Sequence, residues 1–325
     1  MDNIFVGKKI AQLRKQKGRT QEDLAAYFNI SKQAVSKWEN GLSMPDILIL
    51  PDIAQYFGVA MDYFFDKKSS IESDLPLEKG KILIRANGLY KLYEENNQYT
   101  VENLNVDIYD GVSTAVIGPS NCGKTTFLKC VTGLEQVTHG SVTISGTDIT
   151  KLKEPDLTVF RREKINYIFS ENNLIEGINV WDNINLPYKI ANKKIARNRL
   201  KQLVVKLGLS GIITAMPNKL SSGEQQRVTI ARALLGEGYI VFADEPTGAL
   251  DLKAGNEALE LLIICSKEFS TPVVIVTHDV KVATQCEIVH FMDGGRIVRT
   301  MDRPTANEIS NMMTRLSSHE TVNNS

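Results

Sequence analysis

The chain has 325 residues, 42% of them hydrophobic and 23% charged, and its 38 basic side chains balance 38 acidic ones. That length and ordinary globular composition exclude a single small domain, and zero net charge excludes a global field that would draw the chain to nucleic acid; such a partner has to be met by a local surface. Cys122, Cys130, Cys265 and Cys286 show no C-x-x-C spacing, which predicts free thiols in a reducing compartment. Met1 to Ile10 carries Asp2, Lys8 and Lys9 without an apolar core, and nowhere do about 18 apolar residues run together. A cytosolic chain that does not itself cross a membrane is expected.

From Met1 to about Asp66, apolar residues recur at three- and four-residue steps: Ile10 and Leu13, Leu24, Ala25 and Phe28, Val35 and Trp38, then Ile53, Ala54 and Phe57. This is helix spacing in short pieces, hence a small all-α bundle. Gly18 suits the end of a first helix, Thr20 with Asp23 opens a second, Ser31 caps a third, and Gly41 and Gly58 close later ones. Between the second and third lies only Asn29-Ile30, a turn tight enough to need a residue that tolerates positive φ.

Leu13-Arg14, Thr20 to Ala25, the run Ile30-Ser31-Lys32-Gln33-Ala34-Val35-Ser36-Lys37-Trp38-Glu39-Asn40-Gly41 and Pro45-Asp46 resemble the Xre (Cro/lambda-repressor-like) helix-turn-helix family. The resemblance covers Gly7 to Phe65 and departs at Asn29, where glycine is commoner, and at Pro51, which suits a helix start. With Ala34, Val35 and Trp38 inward, Ser31, Lys32, Gln33, Ser36 and Lys37 fall on the outer face of the third helix, the side a major groove would meet. Gln33 can pair with adenine, while Lys32, Lys37 and Gln21 suit phosphates. The first 66 residues hold eight basic and eight acidic side chains, so this is a DNA-binding candidate without a broadly basic surface.

Residues 67–79 are polar, poorly periodic and contain Pro76, which predicts a linker. From Gly80 the pattern becomes β-type runs alternating with helices: Lys81 to Arg85, Thr100 to Ile108, Ser113 to Ile117, Ser141 to Ile144, Lys164 to Phe169, Ile240 to Ala243, Val273 to Val276 and Ile288 to Met292. Alternation of this kind argues for a layered α/β domain over 80–302. Between the third of these runs and the helical pattern Lys124 to Thr132 lies Gly118-Pro119-Ser120-Asn121-Cys122-Gly123-Lys124-Thr125-Thr126, which fits the phosphate-binding spacing G-x-x-x-x-G-K-[ST]. Gly118 and Gly123 let the backbone curl so that successive N–H groups and the helix start face a polyphosphate. Gly118, Ser120, Asn121, Cys122, Gly123, Lys124, Thr125 and Thr126 are therefore the candidate polyphosphate-binding stretch, with Lys124 on the terminal phosphates and the Thr125 hydroxyl on Mg²⁺.

Downstream, Tyr239 to Ala243 is an apolar strand ending in Asp244-Glu245, as expected if Asp244 holds the Mg²⁺ shell and Glu245 orients or deprotonates the attacking water. A strand ending in two acids is common alone. Here it follows Leu220-Ser221-Ser222-Gly223-Glu224-Gln225-Gln226-Arg227 and precedes Gly248-Ala249-Leu250-Asp251 and Val276-Thr277-His278-Asp279.

These motifs, in this order from Lys81 to Met301, resemble the ATP-binding-cassette (ABC) ATPase family, whose fold is an α/β P-loop NTPase with a mixed-sheet core and a helical subdomain. The resemblance implies that Tyr93 stacks on adenine, that Ser221 and Gly223 contact a nucleotide held by the other subunit, that Asp251 lies at the dimer crossing, and that His278 meets the γ-phosphate. Catalysis would then fall to Glu245, His278 and Lys124. Asn166-Tyr167-Ile168-Phe169, Asn173-Leu174 and Asp244 to Gly248 most resemble the branch for lipoprotein release, macrolide export and bacitracin resistance. Two departures stand out: Ser170 occupies a position where the family has a magnesium-sensing glutamine, which puts brisk turnover in doubt, and Ser222 and Glu224 vary the signature.

A single set of motifs implies a head-to-tail homodimer with two ATP at the seam. A helical stripe of Ile195, Leu200, Leu203, Val204 and Leu207 suits the core of the helical subdomain, Ile309 to Leu316 a short amphipathic helix, and Ser317 to Ser325 a disordered end of the 303–325 tail. Two functions fit. One is a transporter ATPase at the inner face of the membrane, docked on a separately encoded permease and carrying a DNA-binding head. The other is a soluble ATP-gated transcriptional regulator without a permease.

Overall fold

The computed structural model describes residues 3–46, 49–59, 64, 77, 79–93, 98–171, 173–193, 197–236, 238–248 and 250–323. These form two compact units, 1–77 and 78–325. Of the expected linker, only Leu77 and Lys79 are among the described residues.

Among its described residues the first unit forms α1 (Asn3–Gln16), α2 (Gln21–Tyr27), α3 (Lys32–Glu39) and α4 (Leu50–Phe57). Each boundary has a local cause. Gly18 follows α1 at φ 63°, Thr20 and Asp23 form a reciprocal capping box on α2, Ser31 accepts from the Ala34 N–H, and Gly58 ends α4 at φ 75°. Asn29 takes the turn between α2 and α3 at φ 52°, and Pro51 stands in the first turn of α4. Val6, Ile10, Leu13, Leu24, Val35, Trp38, Leu50, Ile53 and Phe57 close the core, with Phe28 and Ala34 partly buried against it.

Two contacts fix α3 on its neighbours. A Cβ at Gly7 would lie 1.6 Å from the Trp38 carbonyl oxygen, so only glycine lets α1 approach α3. The Arg14 guanidinium grips Glu39 through Nε (2.6 Å) and Nη2 (2.9 Å), and Glu39 also accepts from Gln21 Nε2 at 2.8 Å. One carboxylate thus ties α1, α2 and α3 together.

The second unit begins with β1 (Ile82–Tyr93), β2 (Gln98–Tyr109), β3 (Thr114–Ile117), α5 (Lys124–Val131), β4 (His139–Ile144) and β5 (Thr147–Asp148). It continues with α6 (Asp156–Lys164), β6 (Ile165–Ile168), α7 (Val180–Ile190), α8 (Arg197–Lys206), α9 (Ser222–Leu235), β7 (Ile240–Asp244) and α10 (Leu252–Glu268). Then follow β8 (Val273–Thr277), α11 (Val280–Ala283), β9 (Ile288–Asp293), β10 (Arg296–Asp302) and α12 (Ala306–Asn323). One sheet is antiparallel, in the order β2-β1-β4-β5; the other is mixed, in the order β10-β9-β3-β8-β7-β6, with only the β10 pairing antiparallel.

The central strands β3, β7 and β8 are buried at every position because both faces are covered. Side-chain alternation sorts them. Ala115, Ile117, Val241, Ala243, Val273 and Ile275 join the helices α7 to α10, whereas Val116, Phe242, Val274 and Val276 face α5 and the antiparallel sheet. Leu200 and Leu203 of α8, and Leu207 just past its end, are buried in the first of these cores and Val204 packs against it; Ile195 lies outside the described residues.

Three expectations are corrected. β1 continues to Tyr93 rather than stopping near Arg85, because its antiparallel pairing with β2 resumes past register shifts at Ala86 to Leu92. A strand unforeseen in the sequence, β10, follows the Gly294-Gly295 turn (φ 48° and 77°) and pairs with β9; its mostly solvent-facing side chains give no strong apolar pattern. From Ser317 to Asn323 the tail is helical rather than disordered, and Asn324 and Ser325 lie outside the described residues. α12 runs from Ala306 to Asn323, opened by a Thr305–Glu308 box and anchored by buried Ile309 and Leu316.

Gly7→Ala tests the first-unit packing: the added methyl overlaps backbone that cannot swing aside, so calorimetry of the full chain is expected to show its first unit destabilised by roughly 1–3 kcal/mol.

Candidate active site

Parallel pairing places the chemistry at one end of the mixed sheet. Ile117 pairs with Thr277 and Asp244 with Val276, so the residues that follow β3, β7 and β8 emerge side by side at the strands' carboxyl ends. These are the Gly118 loop, Glu245 and His278.

The loop is held by close backbone approach. A Cβ on Gly118 would lie 2.1 Å from the Met292 carbonyl oxygen, and one on Gly123 2.3 Å from that of Thr100. Gly123 has φ 100° and Asn121 φ 63°, positions that favour a residue without a Cβ or with a short polar one. Lys124, buried at the start of α5, donates from Nζ to the Gly118 carbonyl at 2.9 Å and to that of Pro119 at 2.7 Å. Thr125 Oγ1 donates to Asp244 Oδ1 at 3.1 Å. Burial raises the pKa of Asp244, the Thr125 bond opposes that, and the adjacent Glu245 carboxylate adds to it, so a cation beside Asp244 would favour its ionised form.

Glu245 sits at φ 45°, a strained conformation for a non-glycine residue. Its carboxylate is clamped: Thr277 Oγ1 donates to Oε2 at 3.2 Å, and His278 Nδ1 lies 2.8 Å from Oε1. A cavity of about 440 Å³ is lined by Thr100, Ser120, Asn121, Gly123, Lys124, Thr125, Thr126 and Glu245. Cys122 is buried behind the loop, and that burial raises the pKa of its thiol, away from the reactive thiolate.

A helix-turn-helix family matches residues 10–64 and the ABC transporter family residues 101–248. The bacitracin export ATP-binding protein BceA of Halalkalibacterium halodurans is 35% identical over 219 residues, which are 66% of this chain and 87% of that protein. The chain belongs to the ABC transporter family. A second ABC relative, the macrolide export ATP-binding/permease protein MacB of Mannheimia succiniciproducens, is 37% identical over 220 residues, 67% of this chain but only 34% of its own length. The ATP-binding cassette MJ0796 of Methanocaldococcus jannaschii, solved as a dimer in a post-hydrolysis state bound to ADP and Pi, superposes with a TM-score of 0.61. That match has 32% identity and spans 68% of this chain and 99% of the cassette. The ABC unit of this chain is accordingly an ATPase.

Not every candidate residue converges on the ABC cavity. Ser120, Asn121, Gly123, Lys124, Thr125, Thr126 and Glu245 line it, with Asp244 and His278 one contact behind. Gly118 and Cys122 shape the loop without lining the cavity. Tyr93 ends β1, with the Lys91 ammonium 4.8 Å from its ring centre, and is not among the described lining residues. Ser221 and Gly223 lie elsewhere, at the start of α9, where Ser221 and Glu224 cap the helix reciprocally. Glutamate at 224 is thus the N3 partner of a capping box. Gly223 allows close packing, since a Cβ there would lie 3.2 Å from that of Ala254. Asp251 caps α10 through the Lys253 and Ala254 N–H groups.

Thr100 was not foreseen; it reaches the cavity only because β2 folds against the phosphate loop, and no sequence signal marks it. Tyr167 was foreseen only as part of a strand. Burial, together with the nearby negative charge of Asp244, raises the pKa of its phenol.

On the helix-turn-helix unit, Ser31, Lys32, Gln33 and Lys37 are exposed, and Ser36 is half-buried. Lys32 pairs with Glu22 and Gln21 with Glu39, so two of the six DNA candidates already have acidic partners.

Lys124→Ala is expected to lower ATP affinity at least about 100-fold, as removal of a charged phosphate contact implies, and Glu245→Gln to retain binding while hydrolysis falls by about 10²–10⁴. Equilibrium nucleotide titration and single-turnover hydrolysis check the pair.

Proposed function

We propose that this ABC ATPase is the paired ATP-hydrolysing subunit of a membrane transporter, and that its helix-turn-helix unit binds a DNA duplex. The observation that carries the first part is the meeting of Lys124, Thr125, Asp244, Glu245 and His278 at one cavity. Lys124 would move from its loop carbonyls to the terminal phosphates of ATP. Glu245 would accept the proton of the attacking water, with His278 and Thr277 orienting its carboxylate.

Thr125 and Asp244 supply a hydroxyl and a carboxylate oxygen, a hard donor pair suited to Mg²⁺ that completes its shell with phosphate oxygens and water. Bound there, the ion would neutralise phosphate charge. Ser221 and Gly223, distant from the cavity of their own chain, would complete the site of a second copy, giving a homodimer with two ATP. The dimeric form of the archaeal cassette supports that arrangement.

A permease partner is favoured by the exposed apolar side chains beyond β6: Phe169 is 39% exposed, Ile175 45% and Trp181 44%. Asn183 ties that segment together, accepting from the Ile175 N–H and donating to the Ile175 carbonyl. Among the described residues no helix is long and apolar enough to cross a membrane, so a transport path would come from another chain, as the permease part of the macrolide exporter suggests. Such docking would place the ABC unit at the inner face of the membrane. The regulator without a permease leaves these apolar residues unexplained.

Purification of the full chain in detergent should recover a polytopic membrane protein, lost on Trp181→Asp; a chain that recovers none, with or without ATP, would overturn the transporter reading. For the head, Gln33→Ala is expected to weaken the selected duplex by about 1–3 kcal/mol and relax its sequence preference. No binding to a randomised duplex pool at low salt would end the DNA reading.

A further inference from the structure

We propose that a second cavity, at the amino ends of β6, β7 and β8, binds a small, multiply charged phosphorylated anion. It shares no lining residue with the nucleotide cavity, and the proposal does not depend on the ATPase reading.

Strand direction makes the place. Lys164 immediately precedes β6, Tyr239 precedes β7 and Thr271 lies just before β8, so the parallel strands that carry Asp244 and Thr277 to one edge of the sheet bring these residues to the other. They line a cavity of about 830 Å³, a size that takes a small ligand. Its charged lining is Lys81, Lys164, Lys193 and Arg199 against Asp110 and Glu163. Basic groups thus outnumber acids in the cavity although the chain as a whole is neutral.

The way two of those cations are held decides what they can meet. Lys164 Nζ stands 4.5 Å from the centre of the Tyr239 ring and donates to its hydroxyl at 3.1 Å, and the Arg199 guanidinium carbon stands 5.3 Å from the centre of the Phe269 ring. Neither cation has a carboxylate partner among the described residues. An aromatic face fixes a cation through its quadrupole without cancelling the charge, so both stay able to attract an anion. Arg199 is also only partly spent. Nη2 donates to the Leu234 carbonyl at 2.9 Å and to Thr271 Oγ1 at 3.4 Å, whereas Nε is buried without a partner. A guanidinium so anchored keeps its orientation, and an unpaired donor inside the protein is a cost that an incoming oxygen acceptor would relieve.

The wall beside these groups is preformed. Asn166 Nδ2 donates to the Gly238 carbonyl at 3.1 Å, and a Cβ at Gly236 would lie 1.8 Å from Asn166 Oδ1, so the turn into β7 is packed hard against β6. Lys164 and Arg199 are both half-buried, which suits a ligand that enters the cavity rather than a broad surface such as a bilayer.

The test is calorimetric titration of inorganic tripolyphosphate into the full chain carrying Lys124→Ala, which removes the lysine contact at the nucleotide site. Binding is expected to persist there. Adding Lys164→Met or Arg199→Met deletes one charged contact and keeps an apolar stem over the ring, and each should weaken the site about tenfold or more. Because Arg199 also anchors the Leu234 carbonyl, Lys164→Met decides the matter if Arg199→Met fails to fold. No binding to the Lys124→Ala chain, or binding unchanged by Lys164→Met, would overturn the site. Displacement of tripolyphosphate by phosphatidylglycerol vesicles would overturn its assignment to a small soluble anion in favour of a lipid headgroup.

Discussion

Main chain pressed on main chain is the constraint from which the nucleotide site follows. Where Gly118 and Gly123 pass the carbonyls of Met292 and Thr100, a methyl carbon would sit 2.1 and 2.3 Å from the oxygen, far inside van der Waals contact, and no side-chain rotation relieves that. The loop can therefore curl only between β9 and β2 and only with glycine at both places. That curl points α5 and Lys124 into the cavity and brings Thr125 against Asp244. The mixed sheet does the rest, since parallel register delivers the ends of β7 and β8 to the same edge.

Around that edge, polar groups restrain one another in a short chain. His278 and Thr277 hold Glu245, Thr125 holds Asp244, and Lys124 is held by the loop's own carbonyls. Each restraint is a hydrogen bond to a charged group, stronger than its neutral counterpart and easily exchanged for a better partner such as a phosphate oxygen. Strain at Glu245, held at positive φ between β7 and the following turn, fits a residue kept in place by its surroundings rather than by its own preference. The signature segment differs. Its Ser221 and Glu224 are consumed in capping α9, which leaves the helix start ordered and outward.

In the helix-turn-helix unit a single buried carboxylate has the comparable role. Glu39 receives Arg14 from α1 and Gln21 from α2 while standing on α3, so the outer face of α3 is set by an ion pair deep in the bundle rather than by the residues on that face. Lys32 is offset by Glu22 at the surface, a pair whose net stabilisation is small because water screens it. The proposed DNA-binding face thus offers the hydrogen-bonding amide of Gln33 rather than net charge, in keeping with the equal count of acids and bases in that unit.

The sequence alone determined the features whose cause is local or periodic. Caps at Thr20 and Ser31, glycine and asparagine turns, a glycine loop between strand and helix, and apolar strands ending in acids are all written within a few residues, because each answers to φ, to one hydrogen bond or to side-chain alternation. Helix-turn-helix and ABC membership were legible for the same reason. Contacts between distant segments were decided by the tertiary structure. Thr100 in the cavity, the Thr125 hydroxyl on Asp244, Glu39 joining three helices, and the pairing of β10 depend on register and packing across the fold. The tail was misread for the mirror-image cause: a polar stretch without a strong local signal becomes helix once Ile309 and Leu316 find a core to cover them.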